Sequence, residues 1–256
     1  MSRGVRIAAA ALYLGPLAIG SVAACGDSDP PRRLEICAQT QGLTSIDRSP
    51  RSQCGSSADF TPINNYEGQI AEVQLRENAV VLVDGDCTGT LIAAAAGPIV
   101  LTAGHCVGLG DQALLAFNYE ERPDGDPMVT VGTVIEVSIE PDYALIQLDE
   151  LPAVTPTPLT SRPTDLLAII QHPRGRPKVI AEGNLAGACH DQVYYSDLDT
   201  LDGSSGAGVL THQGYLLAVH TDGDCAPDGS GTNRGWSAAS IVAASGYLTA
   251  ADIADR

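Results

Sequence analysis

From about residue 63 onward the chain is written almost entirely in short apolar or alternating runs separated by turn residues, and this rhythm constrains its fold more than any other feature. "AEVQL", "AVVLV", "TGTLIAA", "PIVLTA", "ALLAFNY", "MVTVGTVIEVSI" and "YALIQL" come first, broken by "DGD", "GP" and "PDGDP". A Pro-rich stretch, "LPAVTPTPLTSRP" at 151–163, reads as a connector. A second set follows: "LLAIIQH", "PKVIAEG", "DQVYYS", "AGVLT", "YLLAVHT" and "RGWSAAS". Runs of this length without helical periodicity predict strands. Two sets joined by an extended link predict two packed antiparallel barrels or a sandwich, dividing 63–155 from 156–256. The tail "SIVAASGYLTAADIADR" is expected to close with a short helix. Hydrophobic residues make up 44% of the chain, enough for a core despite only 4% aromatics.

The first 62 residues have a different texture. "MSRGVR" is basic, and "IAAAALYLGPLAIGSVAA" is apolar, uncharged and interrupted by Pro16. Residues 1–24 therefore read as a secretory signal. The small residues of "SVAAC" before Cys25 resemble the bacterial lipoprotein cleavage box, which implies Cys25 as a lipidated N-terminus and an exported or envelope location. Residues 25–62, with "GDSDPPRR" and "DRSPRSQCGSSAD", read as a linker or pro-segment. Cys37 and Cys54 are expected to close a small loop there. Without Cys25, six of the seven cysteines remain, and an even set in an exported chain suggests three disulfides. No CxxC pair is present, so a zinc site is not expected; no other metal and no cofactor is expected either. The formal charge is −17, and −19 without residues 1–24, which carry Arg3 and Arg6 and no acid. Such a surface repels nucleic acid and anionic headgroups. Membrane contact is expected only through the Cys25 lipid, and the chain is expected to be a monomer.

A serine hydroxyl is a poor nucleophile. It needs an imidazole to take its proton, a carboxylate to hold that imidazole's tautomer, and N–H groups to meet the developing oxyanion. "VLTAGHC" places His105 just after an apolar run, beside Cys106, and a disulfide between Cys87 and Cys106 would pin its loop. "EPDYALIQL" places Asp142 at the mouth of another run, and "LDGSSGAGVL" offers Ser204 and Ser205. Each motif alone is weak. Together, in this order, the three resemble those of the chymotrypsin-like serine proteases. That resemblance covers about residues 63–245 and implies two six-stranded β-barrels, a peptidase acting on polypeptides through an acyl-enzyme, and His105, Asp142 and Ser205 as its triad. The family's Gly-x-Ser-Gly pattern falls on Gly203, Ser204, Ser205 and Gly206. It makes Ser205 the nucleophile and assigns the oxyanion hole to the N–H groups of Gly203 and Ser205. Ser204 stands where digestive members carry an aspartate that pairs with a freshly cut N-terminus, and Pro62 precedes "INNYEG", so tryptic activation there is not expected.

The second half resembles the bacterial glutamyl endopeptidase branch. "IIQHPRGRPKVIA" is similar to its His-Pro-x-Gly turn, and "YLLAVHTDG" to its pocket strand. The resemblance implies Thr200, His220 and Gly223 as substrate-binding residues and a preference for Glu or Asp before the scissile bond. Desolvating a substrate carboxylate requires such donors. His172, His190 and His212 read as structural or exposed. Two departures stand out. Ala207 and Gly208 replace the small residue and proline that follow Ser-Gly in the branch. No cysteine lies just before Ser205, which leaves Cys189 as the expected partner of Cys225. "DGDCAPDGSGTNRG" lacks the acid spacing of a calcium loop. The alternative function is a catalytically silent protease-fold binding lipoprotein of the envelope.

Overall fold

The computed structural model describes residues 52–122, 127–189 and 191–254. Strands β2 (Val80–Val83), β3 (Cys87–Ile92), β4 (Ile99–Thr102), β5 (Gln112–Phe117), β6 (Met128–Ile139) and β7 (Asp142–Leu148) close one antiparallel barrel, in the order β2-β3-β4-β7-β6-β5. A second barrel holds β8 (Leu166–Gln171), β9 (Val179–Cys189), β10 (Gln192–Ser196), β11 (Gly208–Thr211), β12 (Leu216–Asp222) and β13 (Asn233–Ser237). Its order is β9-β10-β13-β12-β11-β8, closed by β8 on β9, with β1 (Thr61–Pro62) laid against β9. Two six-stranded barrels are the expected architecture. Closure removes the free edges that open sheets expose.

The fully apolar runs have a simple cause. Along β4, Val100 packs inside the first barrel while Ile99 and Leu101 join a core shared between barrels. Along β8, Leu167 and Ile169 fill the second barrel while Ala168 and Ile170 face the shared core. Both faces of these strands are buried, so period-two alternation gives no polar face. The closing helix α2 (Ala238–Ala244) adds Ala238, Ile241 and Val242 to the shared core, and the Ser237 hydroxyl caps it by accepting from Ser240 N–H.

Two expectations are corrected. "AEVQL" does not form a strand: Val73–Glu77 is a short helix, α1. Its buried positions, Val73, Arg76 and Glu77, share one face at spacings of three and four from Val73, whereas Leu75 is 39% exposed. The second correction concerns disulfides. Cys87–Cys106 forms as expected, but Cys225 bonds Cys54 rather than Cys189, across 171 residues of sequence. Cys54 therefore cannot close a loop with Cys37, which lies outside the described residues, as does Cys25. The cause is the path of residues 52–62, which run as a strap along the second barrel. Cys54 N–H and Asp59 N–H both donate to the Asp199 carboxylate at 2.6 Å, and β1 pairs with Ile180 and Val179. Cys189 ends β9 in the β9–β10 hairpin, outside both disulfides of the described residues.

Candidate active site

His105 sits in a single 3-10 turn, Gly104–Cys106, directly after β4. Asp142 opens β7, and β4 pairs with β7 so that Thr102 opposes Ala144. That register carries the residue three beyond Thr102 to the residue two before Ala144. The Asp142 carboxylate accepts from His105 twice, at 2.7 Å from ring Nδ1 and at 3.1 Å from the backbone N–H. Gly104 permits the approach, because a Cβ there would stand 2.0 Å from the Ser138 carbonyl. With Nδ1–H held by Asp142, the imidazole's free nitrogen is Nε2, the atom a general base uses. His105 is solvent-exposed, and the Cys87–Cys106 disulfide anchors its turn to β3.

Ser205 lies in the loop between β10 and β11 and is pinned to the first barrel. Its carbonyl accepts from Thr88 N–H at 2.9 Å and lies 3.9 Å from Cys106 Sγ, so the residue after His105 touches the serine's backbone. Gly206, with φ +85°, has no space for a side chain: a Cβ would meet Thr102 Oγ1 at 2.1 Å and Thr88 O at 2.2 Å. Among the described residues the Ser205 hydroxyl closes no hydrogen bond with His105; such bonds are often long until substrate binds. The two serines differ sharply. Ser204 is fully buried and its Oγ accepts from Leu201 N–H at 3.0 Å, whereas Ser205 is half-buried at the barrel seam.

The loop before Ser205 is oriented by contacts absent from the sequence reading. Asp202 O accepts from Arg174 N–H at 2.5 Å. In a trans peptide the carbonyl and the following N–H point opposite ways, so this bond turns the Gly203 N–H away from Arg174. Gly203 has φ +87°, and a Cβ would stand 2.7 Å from Arg174 N. Thr88 fixes the next carbonyl: its hydroxyl donates to Gly203 O at 2.8 Å and accepts from His172 N–H at 3.0 Å. Neither Gly203 N–H nor Ser205 N–H donates to a protein acceptor among the described residues. The His-Pro-Arg-Gly turn thus supports the loop before Ser205. Nothing in "CTGTLI" sets Thr88 apart from an ordinary strand residue; its role emerges only where the barrels meet.

The Ser205 loop reaches the end of β12, where Gly206 N–H donates to His220 O at 2.8 Å. His220 is buried, with ring Nδ1 2.5 Å from the Tyr195 hydroxyl. Gly223 follows β12 directly and is half-buried. Thr200 is fully buried, its hydroxyl donating to Ser52 O at 3.4 Å and accepting from Asn233 Nδ2 at 3.2 Å. Sequence reasoning missed Tyr195 and Asn233, whose motifs carry no distinguishing signal. His172 is buried and structural, donating from Nδ1 to Arg176 O at 2.9 Å and stacking on Tyr119. His212 is exposed, and His190 lies outside the described residues.

Burial lowers both His172 and His220 from 6.5 to about 4, because each imidazolium would be desolvated. Both are neutral in the native state, while the unfolded chain begins to take up their protons near pH 6.5. Stability is therefore full above pH 6.5 and falls as pH drops from 6.5 to 4, by on the order of 3 kcal/mol per histidine. Urea unfolding across that window should show this loss, and His172→Gln should shrink it. A flat profile would contradict the buried neutral state.

A protein-family model described as "Trypsin-like peptidase domain" matches residues 87–219, from the Cys87 strand through Ser205 to Val219. The chain belongs to the trypsin-like peptidase domain family. No curated protein sequence matches it significantly. Among solved structures, it is similar to the serine endoprotease from Yersinia pestis at 17% identity and a TM-score of 0.52, covering 66% of this chain and 62% of that one. It is similar to a human pathogenic astrovirus serine protease at 19% identity and a TM-score of 0.51, covering 67% and 95%. The HtrA-type protease AlgW with tripeptide gives 18% identity and a TM-score of 0.52, covering 65% and 58%. The chain thus spans about three fifths of the length of the Yersinia protein and of AlgW. At these identities the likeness establishes the trypsin-like fold alone.

Proposed function

We propose that this chain is a serine endopeptidase that cleaves polypeptides through an acyl-enzyme on Ser205. His105 is its general base, Asp142 orients His105, and the N–H groups of Gly203 and Ser205 receive the oxyanion. The observation that carries the reading is the 2.7 Å His105–Asp142 bond at the seam where Ser205 is pinned. The orientation of the 202–203 peptide supports it further, since a silent protease-fold protein has no need of an aimed oxyanion loop.

The same proposal gives the enzyme a preference for Glu, and for Asp, before the scissile bond. Burial pushes the Tyr195 phenol well above its usual value, so it stays protonated and donates to His220 Nδ1. His220 then carries its proton on Nε2, as a neutral donor. With Thr200 it supplies the hydrogen bonds a desolvated carboxylate needs. Residues 1–24 act in this proposal as an export signal, Cys25 as a lipid anchor and 25–62 as a tether or pro-segment. The two disulfides among the described residues suit an oxidising compartment. A peptide library tests turnover and preference together. Glu should be enriched before the cleaved bond, and the enrichment should drop about tenfold or more in His220→Val. Indifference to that change would remove the pocket assignment, and no cleavage of any peptide would remove the peptidase.

A further inference from the structure

The strap does more than trail along the second barrel. Ser52 O is met by three donors: Asn233 Nδ2 at 2.7 Å, Thr200 N–H at 3.1 Å and the Thr200 hydroxyl at 3.4 Å. Ser52 Oγ returns a bond to Thr200 O at 2.7 Å. Asn233 is fully buried and rigidly placed, with Oδ1 accepting from Asp224 and Cys225 N–H at 3.1 and 3.2 Å and Nδ2 also donating to Leu198 O at 3.0 Å. A carbonyl oxygen has two lone pairs, whereas an ionised carboxylate has about four acceptor sites. Two close donors and a longer third converge on one neutral oxygen, and a carboxylate placed there would accept the same donors in stronger, charge-assisted bonds.

We infer that Asn233 is a specificity-determining residue which, with Thr200, forms the carboxylate-binding end of the substrate pocket, and that the Ser52–Cys54 strap occupies this end as a built-in competitor. The inference rests on the acid-preferring pocket proposed above. The Cys54–Cys225 disulfide and the Asp199 clasp hold the strap in place. A tether this short keeps the competing carbonyl at an effective concentration of about millimolar, so acidic side chains at lower concentration compete poorly. A small side chain does not reach Ser52 and is unaffected. The strap thus weakens the acid preference without abolishing it or blocking the triad, and loosening it should strengthen that preference.

The test compares the full chain with Cys54→Ser/Cys225→Ser, which removes the tether without leaving a lone thiol, and with Asp199→Asn, which keeps the disulfide and breaks one clasp bond. Three readouts are taken: fluorophosphonate labelling, and kcat/KM for matched peptides with Glu or Ala before the scissile bond. In the double variant kcat/KM for the Glu peptide should rise about tenfold or more while that for the Ala peptide changes less than twofold. Asp199→Asn should shift the ratio the same way by a smaller factor. A gain equal for both peptides, or no gain while labelling stays intact, overturns the inference but leaves the peptidase standing. Should the double variant fold too poorly to label, the Glu/Ala ratio of Asp199→Asn decides alone. Absence of labelling in the unmodified chain removes the peptidase, and the strap's role as competitor goes with it.

Discussion

Ser205→Ala should lower kcat by about 10⁶-fold and abolish covalent labelling by a fluorophosphonate, whereas Ser204→Ala should keep the labelling and lose stability instead. The two hydroxyls are neighbours in sequence with opposite environments. Ser204 Oγ is buried and satisfies the Leu201 N–H. Its loss orphans that donor, which costs about 1–3 kcal/mol, and relaxes the turn that carries the Gly203 peptide. Ser204→Ala should therefore lower the melting temperature and reduce the labelling rate only modestly. Ser205 is half-buried at the seam, held through its own carbonyl by Thr88 N–H. Its side chain holds no structural bond, so Ser205→Ala should melt within a degree or two of the parent. Labelling that survives in Ser205→Ala but not in Ser204→Ala would move the nucleophile by one residue and misplace the oxyanion hole with it.

Asp142→Asn should lower kcat by about 10⁴-fold at neutral pH with little change in KM. The carboxylate accepts from both His105 Nδ1 and His105 N–H. An asparagine that keeps the backbone bond through its oxygen presents its NH₂ to Nδ1. That donor holds the imidazole in the tautomer with Nε2 protonated, which is unable to take the serine's proton. The turn keeps its place while the base loses its function, so a fall in kcat with KM preserved separates this mechanism from unfolding. A loss below tenfold would show that Asp142 only caps the His105 turn.

The barrels were legible because most of their strands are bounded by Gly, Pro or Asp turns, and because closing two small barrels buries both faces of strands such as β4 and β8. The reading failed at α1, where "AEVQL" runs into a helix that buries Val73, Arg76 and Glu77 at helical spacing. It failed again at Cys54. A Ser- and Pro-rich composition describes a segment without a core of its own, and says nothing of whether a buried acid such as Asp199 will fasten it. The order of His105, Asp142 and Ser205 was legible from local motifs. What holds the loop before Ser205 and the buried Thr200 in place was not. Thr88 on β3, the Arg174 N–H and Asn233 on β13 act through positions fixed only when distant strands meet. The buried Lys178, bonded to Glu120 Oε1 at 2.9 Å and to Glu77 O at 2.7 Å, was hidden for the same reason.

The most direct measurement is peptide mapping by mass after fluorophosphonate treatment of the native chain, repeated with His105→Ala. A single adduct on Ser205 is expected, formed at least about a thousandfold more slowly once the imidazole is gone. An adduct on Ser204, or labelling of Ser205 that proceeds equally well without His105, would contradict a nucleophile activated across the seam between the two barrels.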